Sequence, residues 1–346
     1  MTATFDRTLR DAIGEAIATV PGAELSRAVD GLSRRYRDGA APGTTPRTGL
    51  GYITDVERLA YAVVRLPATA AALDAVFEAV ARHTRVEPRT IVDLGAGPGT
   101  VLWPARARWP ALARVTLLDR DGELLRLGRR LWELGRDARH GSEPEVVTRT
   151  GDLAAADVSA ADLVVISYAI NELAEAPAAR AVDRALTLTT GALVVVEPGT
   201  PAGFTRIRAA RDRLRAAGAT IAAPCPHDDD CPMAGGDWCH FAVRLARSRA
   251  HRLAKHAALG WEDEKFAYVV AVPDAAMVRE RAEARAIRRP RKDSGHVRLT
   301  LCAAAGLTET IVTRRDPRYR AARDAAWGDP WPPMDHPTAG LDPSEP

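Results

Sequence analysis

Apolar residues in the first quarter of the chain recur at spacings of three and four. "LRDAIGEAIATV", "ELSRAVDGLSRRYR" and "TDVERLAYAVVRLPATAAALDAVFEAVARHT" each put an apolar stripe on a helix. Between them "DGAAPGTTPRTGLG" breaks the period with glycine, proline and threonine. Residues 1–85 are read as a helical N-terminal extension. From residue 90 the period shortens. "TIVDLG" (90–95), "RVTLLD" (114–119), "EVVTRTGD" (145–152), "ADLVVISYA" (161–169) and "GALVVVEPG" (191–199) are short β-rich runs. Several are almost continuously apolar, as strands covered on both faces must be. Helical patterns such as "GELLRLGRRLWELGRDAR" separate them. Such alternation predicts an α/β fold with a doubly wound sheet over residues 86–223.

The rhythm then changes. A helix "FTRIRAARDRLRAAG" precedes a cysteine-rich stretch, a helix over about 242–259 and a strand "KFAYVVAV". "HVRLTLC" and "LTETIVTRR" around "AAAG" predict a β-hairpin. Residues 224–328 are taken as one C-terminal module, and the proline-rich segment 329–346 as a disordered tail.

No apolar run approaches the roughly 18 residues of a membrane span, and the amphipathic N-terminus has no signal-peptide core. A soluble, cytoplasmic chain with no membrane partner is expected. The net charge is only +3, but just three of the 48 basic residues are lysines, Lys255, Lys265 and Lys292. In so arginine-rich a chain a scattered arginine says little, and only clusters count. One stands out: from Arg279 to Arg298 there are eight basic and three acidic residues, with "RRPRK" (Arg288, Arg289, Arg291, Lys292) at its core. Such a cluster attracts phosphate backbones; the plainer alternative is a solvated face.

"IVDLGAGPGT" (91–100) follows a strand and opens a helix. Gly95, Gly97 and Gly99 permit a tight turn and close backbone approach to a ligand. Asp93 precedes the loop, Asp119 ends the next strand, where it can accept from ribose hydroxyls, and Asp152 ends the third. Acid, GxGxG, acid and acid at successive strand ends resembles the class I S-adenosylmethionine methyltransferases. The cofactor set is then Asp93, Gly95, Ala96, Gly97, Pro98, Gly99, Asp119 and Asp152. NAD-binding loops, the nearest rival, more usually read GxGxxG without the leading acid, and a purely structural turn is the plainest alternative. "SYAINEL" (167–173) falls where methyltransferases place substrate-side residues, which makes Tyr168, Asn171 and Glu172 the catalytic candidates. Asn171 can equally cap the next helix. The segment lacks the Asp/Asn-Pro-Pro-aromatic motif of enzymes that methylate amino groups of nucleic acids.

Cys225, Cys231 and Cys239 lie within "PCPHDDDCPMAGGDWCHF" (224–241), a loop punctuated by proline and glycine. In a reducing compartment metal or redox use is preferred to a disulfide framework. The fourth and last cysteine, Cys302, alternates off the face shared by Val297, Leu299 and Leu301. Four thiolates can close a zinc site or an iron–sulfur cluster. The spacing is looser than the usual zinc pair, while His227 and His240 remain possible zinc ligands.

"IVDLGAGPGT", "VVVEPGTPAGF", "PCPHDDDCPM…WCHF", "GHVRLTLC" and "RYRAARDAAWGDPW" together resemble the mitochondrial small-subunit ribosome assembly family, methyltransferase-like proteins with bacterial relatives. The likeness runs from about Ser33 to Trp331. It implies a class I methyltransferase Rossmann-like domain, S-adenosylmethionine binding and a 4Fe–4S cluster on Cys225, Cys231, Cys239 and Cys302. It also implies association with the small ribosomal subunit and its 16S rRNA. A monomeric bacterial member is expected, its cluster stapling the basic RNA-binding hairpin to the catalytic-type domain. Three functions stay open: an rRNA methyltransferase, a non-catalytic assembly factor, and a small-molecule methyltransferase with structural zinc.

Overall fold

The computed structural model describes residues 4–37, 54–136, 141–155, 157–233, 236–255 and 258–334. The predicted break at 38–51 and most of the proline-rich tail therefore lie outside the described residues. The chain divides into two compact units. The first comprises residues 1–224 and 234–280, the second residues 225–233 and 281–346.

The first unit opens with four helices, α1 (Thr4–Ala16), α2 (Gly22–Arg37), α3 (Asp55–Val64) and α4 (Leu66–His83). Leu9, Ile13, Leu25, Val29 and Leu32 are buried on the first two. α3 starts at a capping box: Thr54 Oγ1 accepts from Glu57 N at 3.2 Å, and Glu57 Oε2 accepts from Thr54 N at 3.3 Å. Arg65 joins α3 to α4 at a bend of 45°.

Strands and helices then alternate as the pattern predicts: β1 (Thr90–Leu94), α5 (Leu102–Arg108), β2 (Arg114–Asp119), α6 (Gly122–Leu134), β3 (Glu145–Thr150), β4 (Ala161–Ser167), α7 (Glu175–Leu188), β5 (Thr189–Pro198), α8 (Pro201–Ala216) and β6 (Thr220–Ala223). β7 (Phe241–Ala246), α9 (Arg249–Ala254) and β8 (Trp261–Val272) complete the unit. The sheet runs β3-β2-β1-β4-β5-β8-β6, with β7 also paired to β8. β1 to β5 are mutually parallel, and β8 enters antiparallel between β5 and β6. An antiparallel strand at that place in a doubly wound sheet makes this the class I methyltransferase fold. Val164, Val165, Ile166 and Leu193 to Val196 are fully buried because helices cover both faces.

In place of the helix expected over 242–259, the described residues there form most of strand β7 and the short helix α9. Ala, Arg and Leu in "FAVRLA" have good helix propensity, but sheet pairing overrides it. Phe241 sits opposite Phe266, its ring 5.1 Å from that of Tyr268, and Arg244 forks Asp263 across the strands at 2.7 and 2.9 Å.

The second unit carries β9 (Ala284–Ala286), β10 (Arg291–Asp293), β11 (His296–Ala303), β12 (Gly306–Thr313), α10 (Tyr319–Asp324) and β13 (Pro330–Trp331). β11 and β12 form the predicted hairpin, Cys302 facing Leu307 in its register. Val297, Leu299, Leu301, Val312, Ala322 and Trp331 share the core. Pro330 and Trp331 pair with β9, so order continues past Asp329, where the tail was expected to begin. Trp331 is too large an apolar group to leave in water when a core lies within reach.

Candidate functional site

The tips of β1, β2 and β4 meet where the strand order reverses, the usual ligand crevice of such sheets. An open-mouthed cleft lies there. Gly95, Ala96, Gly97, Pro98, Asp119, Gly151, Tyr168 and Glu172 are among its lining residues. The glycine loop is tightly determined. Gly95 has φ +80°, and a Cβ there would fall 2.5 Å from the Cβ of Ala169. Gly128 on α6 packs onto the loop so closely that its Cβ would meet Pro98 O at 2.4 Å. Gly97 and Gly99 also have positive φ.

The predicted acids take three different positions. Asp119 lines the cleft and binds the protein's own backbone, accepting from Gly97 N through Oδ2 and from Asp121 N through Oδ1, each at 2.8 Å. Each oxygen retains a lone pair for a ligand hydroxyl. Burial raises its pKa even against those two hydrogen bonds. Asp93 lies wholly buried behind the loop, and neither carboxyl oxygen has a hydrogen-bond partner among the described residues. Burial, with the nearby Asp119 charge, pushes it up to about 8. Asp152 is not among the cleft's lining residues: Oδ1 accepts from Ala154 N at 2.8 Å and Oδ2 from Arg120, which does line it, at 3.3 Å. Gly151 and Leu153 line the cleft in its place.

The three catalytic candidates also separate. Tyr168 lines the cleft but donates its hydroxyl to Glu264 Oε1 at 2.9 Å. Burial, then the Glu264 charge, holds its pKa well above the ordinary phenol value. Asn171 neither lines the cleft nor caps α7, whose N-cap residue is Ala174. Glu172 lines it and is an exposed residue. The protein around that carboxyl, then Asp119, push it up to about 8. Glu197, at the end of β5, is fully buried, and burial takes it to about 8 as well.

All four cysteines are thiols and all are half-buried. Cys225, Cys231 and Cys302 belong to the second unit, and Cys302 Sγ lies 3.9 Å from His227 Nε2 there. In that unit Asp228 also pairs with Arg281. Cys239 belongs to the first unit, between His240 and Trp238, whose Nε1 donates to Gly199 O at 3.1 Å. Among the described residues no three His, Cys, Asp or Glu side chains converge as a ready metal site. The basic core is divided too. Arg288 is half-buried, donating to Ile287 O at 2.6 Å beside the Trp327 ring. Arg289, Arg291 and Lys292 are exposed. Arg291 faces Arg298 directly across the β10–β11 pair, an arrangement that repels in the absence of an anion.

A family model described as mitochondrial small ribosomal subunit Rsm22 matches residues 55–332. The chain belongs to this family. Human mitochondrial ribosome assembly protein METTL17 is 30% identical over 314 residues, covering 83% of this chain and 66% of that protein. The Rsm22-cox11 tandem protein 2 of Schizosaccharomyces pombe is 28% identical over 184 residues, covering 41% of this chain and 24% of that one. The Rsm22-family chain thus spans less than two thirds of these relatives' own lengths. Similar solved structures include the magnesium protoporphyrin IX methyltransferase of Synechocystis PCC 6803 with bound SAH. Its TM-score is 0.40 at 13% identity, over 72% of this chain and all of that one. An O-methyltransferase family protein from Burkholderia thailandensis gives 0.38 at 17%, over 63% and 59%.

The sequence pattern missed the contribution of the N-terminal helices. Tyr61 and Thr69 line the cleft beside the glycine loop. Their helical spacing marked an apolar stripe and gave no sign of a ligand wall. The buried Arg58–Asp121 pair, at 3.1 Å, joins residues 63 positions apart, and no local pattern encodes such a pairing.

Proposed function

We propose that this Rsm22-family chain binds S-adenosylmethionine in the cleft at the strand tips and acts on the small ribosomal subunit, as a monomer in a bacterial cytoplasm. What supports it is that the family match, residues 55–332, contains every residue lining the cleft. The residues fit the cofactor. Gly95 lets the loop backbone line the cleft where a side chain would collide with Ala169, Asp119 keeps acceptor capacity, and Asp93 places an unpartnered carboxyl behind the loop. When bound, the cofactor supplies an electrophilic methyl group on a sulfonium. Gly95 to Gly99 and Asp119 would hold it by backbone approach and hydrogen bonds to hydroxyls, so that orientation carries most of the rate. Glu172, an exposed residue lining the cleft whose carboxyl pKa is raised, is the group able to take a proton from an incoming nucleophile. Tyr168 is not that base, because its proton is committed to Glu264.

The same proposal gives Cys225, Cys231, Cys239 and Cys302 to a 4Fe–4S cluster, with zinc as the alternative. Soft thiolate donors suit both. The half-buried thiols and the approach of Cys302 to His227 support metal use. Arg289, Arg291 and Lys292 are assigned to 16S rRNA on their exposure and on the like-charge pair beside them.

A non-catalytic assembly role is the second reading, favoured by the fact that of the three candidates only Glu172 lines the cleft without its acidic group being committed to a partner, as Tyr168 is to Glu264. Mapping 16S rRNA methylation in a deletion strain separates the two. One missing methyl group supports the enzyme. Intact methylation with small subunits accumulating as precursors supports the assembly factor. Intact methylation with normal subunits contradicts both.

A further inference from the structure

Arg58, Tyr61 and Arg65 follow one another at i, i+3 and i+7, so they share one face of α3 and its end. Each reaches the cleft or one of its lining residues. Tyr61 lines it directly. Arg58 donates from Nε to Asp121 Oδ2 at 3.1 Å, both side chains less than a tenth exposed. The other oxygen of Asp121, itself a lining residue, caps α6 by accepting from Glu123 N and Leu124 N at 3.0 Å. One carboxylate therefore ties α3 to the helix that follows Asp119.

At the other end, Arg65 forks Glu264 on β8 at 3.1 and 3.3 Å. Glu264 Oε1 also accepts from Tyr168, and the Arg65 guanidinium stands 5.8 Å from the Tyr168 ring centre. Tyr168 is the one non-glycine among the described residues with positive φ, +54°. That conformation is strained outside glycine and persists only where the surroundings fix it. A buried ion pair, moreover, recovers its desolvation cost only with good geometry. Two charged ties and one strained residue on the wall of a single cleft are a poor way to pack a helix and a good way to fix side chains.

We propose that Tyr61 and Tyr168 position the ligand in the cleft, and that Arg58–Asp121 and Arg65–Glu264–Tyr168 are two latches holding α3 as its third wall. The ligand class is a nucleoside-bearing sulfonium cofactor, which rests on the reading of the cleft given above. Arg58, Arg65 and Glu264 are positioning residues that act through the two tyrosines.

The test uses the full chain. Arg65→Gln and Tyr168→Phe are each predicted to weaken S-adenosylmethionine binding about tenfold in calorimetry, a usual size for coupling between sites. The double variant is predicted to be no weaker than the poorer single, because both cut one latch. Unchanged affinity with a lowered Tm assigns the latch to stability alone and overturns the proposal, as do additive losses. If Arg65→Gln does not fold, Glu264→Gln, which keeps the shape, replaces it. If the wild type binds no S-adenosylmethionine, the cofactor reading fails. The latches are then judged by hydrogen exchange of the apo-protein. Faster exchange confined to residues 55–69 and 167–173 in Arg65→Gln upholds them, and no regional difference overturns them.

Discussion

Gly97 donates its backbone N–H to Asp119 Oδ2 at 2.8 Å. The acid ending β2 therefore already holds the glycine loop that follows β1, and a ligand meets a carboxylate with one bond per oxygen in place. Asp119→Ala removes loop support and ligand hydrogen bonds together. Charge-assisted bonds of this kind are worth about 1.5–3 kcal/mol each, so S-adenosylmethionine affinity is predicted to fall at least tenfold by calorimetry. Equal affinity in the two proteins would refute the assignment.

Gly128→Ala probes the same loop from behind. Its Cβ would stand 2.4 Å from Pro98 O, a backbone atom that cannot swing aside. The loop must shift, and cofactor binding is predicted to weaken while the far-UV circular dichroism keeps its shape. A variant that binds as the wild type does would show that the loop tolerates displacement.

Asp93 makes stability depend on pH. Its folded pKa of about 8 lies above its ordinary 3.8, so the folded state binds the proton more tightly than the unfolded one. The contribution is complete below about pH 4 and is lost as pH rises towards 8. Glu197, also fully buried, acts in the same direction. Asp93→Asn does not titrate, so its Tm is predicted to fall less than that of the wild type between pH 5 and pH 8.5. Parallel Tm profiles would mean that Asp93 ionises like an exposed carboxyl.

The cysteines give a prediction visible to the eye. Protein purified without oxygen is predicted to be brown, with about four irons and four sulfides per chain, and Cys302→Ser to lose most of the colour. His227→Ala is predicted to keep the iron, although His227 Nε2 is only 3.9 Å from Cys302 Sγ. Stoichiometric zinc without sulfide would move the assignment to the alternative metal.

The fold was largely legible because its signals are local. Apolar runs such as "LVVIS" and "LVVVE" declare strands covered on both faces, and the loop from Gly95 to Gly99 declares its own turn. "FAVRLA" misled because its composition favours a helix while Phe266 and Tyr268, distant in sequence, supply the packing that makes it a strand. The cleft was half legible. Gly95, Asp119, Tyr168 and Glu172 line the cleft, whereas Asp152 does not and instead pairs with Arg120, which does. Tyr61, Arg58, Arg65 and Glu264 stayed hidden, since their roles come from partners 63 to 199 positions away.

The proposed partner is the small ribosomal subunit, and crosslinking in cells probes that association. The tagged chain, irradiated and purified under denaturing conditions, is predicted to carry 16S rRNA fragments from one region. Replacing Arg289, Arg291 and Lys292 by glutamine is predicted to cut their yield, because neutralising fewer phosphates weakens binding and flattens its salt dependence. Arg288→Gln, whose guanidinium is turned to Ile287 O, is predicted to cut it less. Recovery of 16S rRNA no greater than from an untagged strain would contradict the account.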